Sequence, residues 1–175
     1  KVESADILHK SDVGGVKLNI NTEDEVRTAY KEIMDSCTAK CPDAKINGIL
    51  MQKMLEKGTE VIVGITNDPS FGPMILCGMG GVFTEVFKDV SLYPAPLKKD
   101  DALRMIKSLK AYKLMTGYRG QPELDVDALA DLLVSVGQFA VDHRNDIVEM
   151  DINPVFVYPK GKGVAAADAL VILRK

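Results

Sequence analysis

One reversal near the C-terminus constrains this chain more than any other feature. Residues 147–158 and 164–173 are two apolar-rich runs separated by Pro159-Lys160-Gly161-Lys162-Gly163, the composition of a tight hairpin turn. With Lys160-Gly161 as the two-residue tip, Pro159 pairs with Lys162, and counting back places Asn153 opposite Asp168. Side chains of a strand alternate between faces, so Glu149, Asp151 and Asn153 share one face while Met150 and Ile152 share the other. Directly opposite residues carry Cβ atoms about 4.5–5.5 Å apart, close enough for one ion to touch both. Carboxylates and an amide oxygen are hard donors of the kind that suit Mg²⁺ together with substrate phosphates. Asp168 lies between Val164-Ala165-Ala166-Ala167 and Ala169-Leu170-Val171, so its carboxyl is expected to be buried and in need of a partner. The alternative for the whole stretch is a solvated polar strand face.

Upstream, residues 13–21 alternate Val13, Val16, Leu18 and Ile20 with polar residues and glycine, a strand pattern. Thr22-Glu23-Asp24-Glu25 is a helix start with Glu25 in the capping-box position. The helix runs from 23 to about 41, burying Val26, Ala29, Tyr30, Ile33, Met34 and Cys37. Residues 46–55 and 59–66 read as strands joined by Glu56-Lys57-Gly58. The turn Asn67-Asp68-Pro69-Ser70-Phe71-Gly72-Pro73 leads into a strand over 74–77, and Gly78-Met79-Gly80-Gly81 precedes a short helix over 82–88. Residues 90–92 read as a short strand, 99–115 as helix, and 117–122 as a loop. A helix over 125–143 turns Leu129, Leu132, Leu133, Val136 and Phe139 inward. Antiparallel strands without a regular βαβ rhythm give an α+β class.

The 175 residues make one domain or two small lobes, and 46% hydrophobic content is enough for a core. A net charge of -3, with Lys and Arg interleaved among acids, excludes a nucleic-acid partner. No apolar run approaches the roughly 20 residues of a membrane span. Cys37, Cys41 and Cys77 are odd in number and lack a nearby histidine, so they are expected to be free, buried thiols of a cytoplasmic protein. The opening Lys1-Val2-Glu3-Ser4 reads as the inside of a strand, with sequence expected upstream.

Ile7-Leu8-His9-Lys10-Ser11-Asp12-Val13-Gly14-Gly15 places an imidazole beside a Gly-Gly pair. Successive free N–H groups there would make an anion-binding concavity, and an adjacent histidine can accept a phosphoryl group. Gly80 and Gly81 are expected to offer similar N–H groups at the end of a strand. The competing reading for both is glycine in an ordinary tight turn.

These pieces resemble one family. The motifs are Ile7-Leu8-His9-Lys10-Ser11-Asp12-Val13-Gly14-Gly15-Val16, Gly58-Thr59-Glu60-Val61-Ile62-Val63-Gly64, Asp68-Pro69-Ser70-Phe71-Gly72-Pro73, Gly80-Gly81, Gly117-Tyr118-Arg119-Gly120 and Asp151-Ile152-Asn153-Pro154. In this order they resemble the ATP-grasp domain of NDP-forming acyl-CoA synthetases, of the β-subunit type found in ADP-forming acetyl-CoA synthetase. The likeness to the β subunit of succinyl-CoA synthetase is more distant. The resemblance implies an ATP-grasp fold with mixed, largely antiparallel sheets. Residues 1–55 would form a nucleotide-covering lobe, incomplete at its N-terminus, and 56–175 a metal- and phosphate-binding lobe. It assigns Lys1 to the nucleotide phosphates, Gln52 with Lys53, Met54 and Leu55 to the adenine hinge, and Glu60 to a nucleotide contact. Asn153 and Asp168 become the Mg²⁺ ligands, Asp151 an acid beside them, and His9 a transiently phosphorylated histidine. ATP or ADP is implied as substrate, and an α-type CoA-binding domain or subunit as partner, bringing acyl-CoA, CoA and a small organic acid. Tyr93 departs from the pattern, because the family usually has an arginine there and tyrosine supplies no bidentate cation. The resemblance also admits a different reading, a catalytically silent ATP-grasp module of a protein acetyltransferase.

Overall fold

The computed structural model describes residues 1–81 and 88–174; the short helix expected over 82–88 lies, but for Lys88, outside the described residues. The chain divides into two compact units, Lys1–Leu55 and Glu56–Lys175.

In the smaller unit, helix α1 spans Glu23–Lys40. Its start is the expected one: the Thr22 side chain accepts from the Glu25 N–H, and the Glu25 carboxylate accepts from the N–H of Thr22. Three acids in the first turn and Lys40 in the last complement the helix dipole. Ala29, Ile33 and Cys37 are buried and pack with Val2 and Ile7, whereas Tyr30 points outward and is 52% exposed. Residues 13–21 form no strand. Gly14 and Asn19 adopt positive φ, Leu18 is 62% exposed, and none of the strands pairs with this run. An alternating pattern becomes a strand only where a neighbour takes its N–H and C=O groups. The edge pairing of this unit is instead β1 (Val2–Glu3) antiparallel to β2 (Gly48–Ile49). Residues 46–55 therefore pair with the first residues of the chain, and the expected hairpin with 59–66 does not form.

The larger unit is a six-stranded sheet ordered β5 (Val90–Pro94), β4 (Gly72–Met79), β3 (Thr59–Asp68), β6 (Ile147–Val157), β7 (Val164–Ala166), with β8 (Ala169–Leu173) also on β6. Every described pairing is antiparallel. The β3–β4 reversal is the expected one, and the Asp68 carboxylate closes it by accepting from the N–H groups of Ser70 and Phe71. Helices α2 (Lys99–Lys107) and α3 (Val126–Asp142) cover one face of the sheet. Met105 and Ile106 from α2 and Leu129, Leu133 and Val136 from α3 meet Val61, Val63, Ile75, Cys77, Ile152 and Val155 in a single core. Phe139, expected inward, is 40% exposed and lies instead against His143. The helix expected over 99–115 stops at Lys107 and resumes as a 3₁₀ turn over Lys110–Met115. The buried Asp89 carboxylate causes the break by accepting from the Lys110 N–H at 2.8 Å and the Ala111 N–H at 2.9 Å.

Leu133 is fully buried between helix and sheet. Leu133→Ala is expected to cost about 3 kcal/mol through lost transfer energy and a residual cavity. Urea unfolding should show a lower midpoint with an unchanged slope.

Asp125 ties α3 to the C-terminal hairpin. Its carboxylate caps the helix by accepting from the Ala128 N–H at 3.2 Å, and accepts from the Gly161 and Gly163 N–H groups at 2.8 and 2.9 Å. The hydrogen bond from Gly163 leads in holding this carboxyl below its ordinary range, against the opposing effect of burial, with help from Ala128, Gly161 and the charge of Lys160. Because the folded state favours the ionised form, the stabilisation is complete above the unfolded value. It is lost as pH falls through the lowered one. Asp125→Asn should cost about 1–3 kcal/mol at neutral pH and flatten the decline in melting temperature below about pH 4, read by thermal melts across a pH series.

Candidate functional site

The acidic hairpin takes the register that counting from the tip requires. Val157 pairs with Val164 and Val155 with Ala166 in one strand, and Ile152 with Ala169 and Asp151 with Leu170 in the other. Between them the Asn153 N–H donates to the Asp168 carbonyl at 3.1 Å, and the Ala167 N–H to the Pro154 carbonyl at 3.0 Å. Asn153 and Asp168 thus face each other across the strands. Met150 and Ile152 are buried, and Glu149, Asp151 and Asn153 lie on the open face away from the helices. Asp168, however, is exposed rather than buried. The two edge strands separate at Ala167–Asp168, which opens the side chain to solvent despite its apolar neighbours.

Burial is the main cause that raises the Asp151 carboxyl above its ordinary range; a hydrogen bond with the Asn153 side chain opposes the rise and the Glu149 charge adds to it. Carboxylates crowded beside an amide oxygen make a donor set that a divalent cation would neutralise. The donor types present suit Mg²⁺ in their chemistry. Among the described residues no group of three or more His, Cys, Asp and Glu side chains gathers to hold a metal, so the set is a carboxylate–amide pair with one further acid.

Tyr93 lies opposite Ile75, and the two sit on the helix-covered face, where Tyr93 packs half-buried against the core. Gly64 stands opposite both Leu76 and Asp151. Leu76 is one step from Ile75, so Asp151 and Tyr93 point to opposite faces.

His9 is exposed on a compact loop. The Asp12 N–H donates to the His9 carbonyl, the Gly14 N–H to Ser11, and the Gly15 N–H to Lys10 at 2.7 Å. The expected concavity of free N–H groups at Gly14 and Gly15 is therefore absent, because the loop consumes them. Gly15 serves closeness instead: a Cβ there would lie 2.7 Å from a Val2 methyl and 2.8 Å from the Lys10 carbonyl oxygen. In the same unit, Leu50 donates its N–H to the Lys1 carbonyl at 2.8 Å, which sets Lys1 beside the run leading to Gln52. Gln52, Lys53 and Met54 are exposed and Leu55 is half-buried, in irregular backbone.

Glu60 is exposed near the start of β3, with Gly80 immediately beside it. The Gly80 N–H donates to the Glu60 carbonyl at 2.7 Å, so it too is unavailable to an anion. A Cβ at Gly80 would fall 2.6 Å from the Glu60 Cβ; glycine here permits backbone contact. Gly81 is exposed, with φ of +61°.

Glu60 and Gly80 also line a cleft of about 880 Å³ at this end of the sheet, together with Lys57, Tyr118 and Arg119. Its floor is apolar, with Met79, Leu124 and Val157 buried. Arg119 holds φ 53° and ψ 41°, left-handed, between Gly117 and Gly120, which also have positive φ. Lys113 Nζ and Arg119 Cζ lie 5.0 and 5.4 Å from the Tyr118 ring centroid. Lys57 and Arg119 are the cations that line this cleft.

Cys37 and Cys77 are buried free thiols and Cys41 is half-exposed; burial pushes the Cys77 thiol up to about 12. Among the described residues no helix is long and apolar enough to cross a membrane.

A family model described as an ATP-grasp domain matches residues 1–173. The β subunit of ADP-forming acetate–CoA ligase I of Pyrococcus furiosus is 46% identical over 173 residues, covering 99% of this chain and 73% of that subunit. ADP-forming acetate–CoA ligase I of Archaeoglobus fulgidus is 48% identical over 164 residues, 94% of this chain but only 24% of that protein. The chain thus spans about a quarter of the longer relative and about three-quarters of the subunit. Among solved structures, acetyl-coenzyme A synthetase 1 of Candidatus Korarchaeum cryptofilum, with coenzyme A and Ca-AMPCP, superposes with a TM-score of 0.94 at 49% identity, covering 99% of this chain and 75% of that one. The chain belongs to the ATP-grasp family, among the β subunits and corresponding domains of ADP-forming acetate–CoA ligases.

Proposed function

We propose that this chain is the nucleotide-binding module of an ADP-forming acid–CoA ligase, which converts acyl-CoA, ADP and phosphate to acid, CoA and ATP. The observation that carries the reading is the near-complete match to a β subunit at 46% identity, in a chain whose exposed His9 stands on a self-closed loop. An acyl phosphate forms on an α-type CoA-binding partner, releasing CoA. Its phosphoryl group passes to a His9 imidazole nitrogen, and the acid departs. A terminal oxygen of ADP then attacks phosphorus, the N–P bond breaks, and ATP and free imidazole result. Such transfer depends on positioning and charge neutralisation rather than on covalent chemistry by the protein.

Lys1 serves the nucleotide phosphates, Gln52 to Leu55 the adenine, and Glu60 a further nucleotide contact. Asn153 and Asp168 would hold Mg²⁺, with Asp151 beside them. When bound, the ion neutralises charge on the phosphates. Gly14, Gly15 and Gly80 act through close packing, and Gly81 meets the phosphates. Expected of a cytoplasmic enzyme, the partner is a separate subunit or a fused domain.

The test is coupled synthesis. This chain, combined with an α-type partner, should form ATP from acetyl-CoA, ADP and phosphate, and should take up acid-labile, base-stable ³²P from Mg-[γ-³²P]ATP. Nucleotide binding with neither label nor synthesis would favour a sensory ATP-grasp module instead.

A further inference from the structure

We infer that Ser36 and Lys40 of α1 are positioning residues for the phosphoryl relay: they hold the His9 loop as a fixed seat, so that the imidazole is presented in one place. This rests on the reading of His9 given above and deepens it.

The loop's carbonyls show how completely it is held. Those of His9, Lys10 and Ser11 accept from the N–H groups of Asp12, Gly15 and Gly14 inside the loop. The next two accept from α1 instead. Lys40 Nζ donates to the Asp12 carbonyl at 3.2 Å, and Ser36 Oγ to the Val13 carbonyl at 2.7 Å. Residues four apart lie on one side of a helix, so one face of α1 grips both. Every carbonyl from His9 to Val13 thus accepts a hydrogen bond, on a loop whose Leu8 and His9 side chains are exposed. A surface loop can leave its carbonyls to water, so folding alone does not call for this. A backbone tied down beneath an exposed nucleophile is what group transfer calls for, because a displacement of about 1 Å can slow it roughly 100-fold.

Ser36 carries a second observation. A helical serine or threonine commonly turns its hydroxyl back on the carbonyl four residues earlier. Thr28 of α1 does so onto Asp24, and Ser135 of α3 onto Asp131, both at 2.9 Å. Ser36 reaches a carbonyl 23 residues away in sequence instead. Gly14 makes that approach possible: its φ is +75°, and a Cβ there would fall 2.7 Å from Ser36 Oγ. Beside it, the buried Cys37 places its Sγ 3.2 Å from where a Gly15 Cβ would stand. The two glycines therefore seat the loop on α1. The helix is a firm support, boxed at its start by Thr22 and Glu25 and packed through Ile33 and Cys37 against Val2 and Ile7.

Ser36→Ala, Lys40→Met and Lys40→Arg would be compared with wild type, each combined with the α-type partner, after equal melting temperatures show that they are folded. Lys40 is exposed, so its variants keep the test open should Ser36→Ala unfold. Rapid-quench labelling from Mg-[γ-³²P]ATP reads transfer to His9, and steady-state synthesis gives kcat and the KM for ADP. Phosphoramidate, a small free donor that phosphorylates imidazole with release of ammonia, reads the nucleophile apart from its positioning, followed at His9 by mass spectrometry. Ser36→Ala and Lys40→Met should each lower the labelling rate and kcat about tenfold, leaving the KM for ADP and the phosphoramidate rate within about twofold. Lys40→Arg should recover most of the loss. Unchanged labelling in either Ser36→Ala or Lys40→Met overturns the inference. So does a loss shared by the phosphoramidate rate or by the KM for ADP, since the residues would then serve the fold or the nucleotide and not the place of the imidazole. Wild type that reacts with phosphoramidate but takes no label from ATP overturns the functional reading and this inference with it. Wild-type labelling with indifferent variants overturns this inference only.

Discussion

His9→Asn is expected to abolish ATP synthesis, by at least about 1000-fold in turnover, and to leave Mg-ADP affinity and melting temperature unchanged. The imidazole is exposed, and the hydrogen bonds that close its loop are main-chain bonds from Asp12, Gly14 and Gly15. Val2 then donates to the Gly15 carbonyl at 2.7 Å, tying the loop to β1. None of these bonds uses the side chain, so asparagine leaves the loop's hydrogen bonding intact and removes only the nucleophilic nitrogen. Rapid-quench measurement of acid-labile ³²P on both proteins, beside steady-state synthesis with the partner, checks the prediction. Synthesis within tenfold of wild type would sink the relay through His9.

Asp168→Ala should lower turnover by about 100-fold or more, while changing stability by less than about 1 kcal/mol. The main-chain link survives the change, because the Asn153 N–H donates to the Asp168 main-chain oxygen, and the exposed carboxylate gives up a local bond from the Ala169 N–H at 3.1 Å. The loss arises because an ion held there contributes several kcal/mol of charge stabilisation. Titration with Mn²⁺ monitored by electron spin resonance should show weaker metal binding in Asp168→Ala than in wild type. Unaltered Mn²⁺ affinity would remove Asp168 from the ligand set. A parallel fall for Asn153→Ala would confirm that the cross-strand pair acts as one site.

What could be read in advance were features whose causes are local. The cap of α1 needs only Thr22 and Glu25, three residues apart. The register of β6 against β7 and β8 follows from a tip of defined length, which fixes each opposite residue down the hairpin. Where strand pairing was long-range, the reading failed. Residues 13–21 carry the alternation of a strand but form no ladder, only the single bond from Val2 to Gly15, and Gly48–Ile49 pair with β1 rather than with the strand that follows them. Helix propensity over 99–115 yields to one distant carboxylate, that of Asp89.

The candidate site divides in the same way. The sequence by itself determined which residues could do the chemistry: His9 on its glycine loop, and Asn153 opposite Asp168. Spacing along the chain and along a hairpin carries that information. Only the tertiary structure decided that Gly14, Gly15 and Gly80 spend their N–H groups inside the fold, that Tyr93 faces the helices, that Asp168 reaches solvent, and that Lys57 and Arg119 share one cleft. Hydrogen-bond occupancy and exposure depend on which distant groups arrive first, and a one-dimensional pattern does not encode that competition.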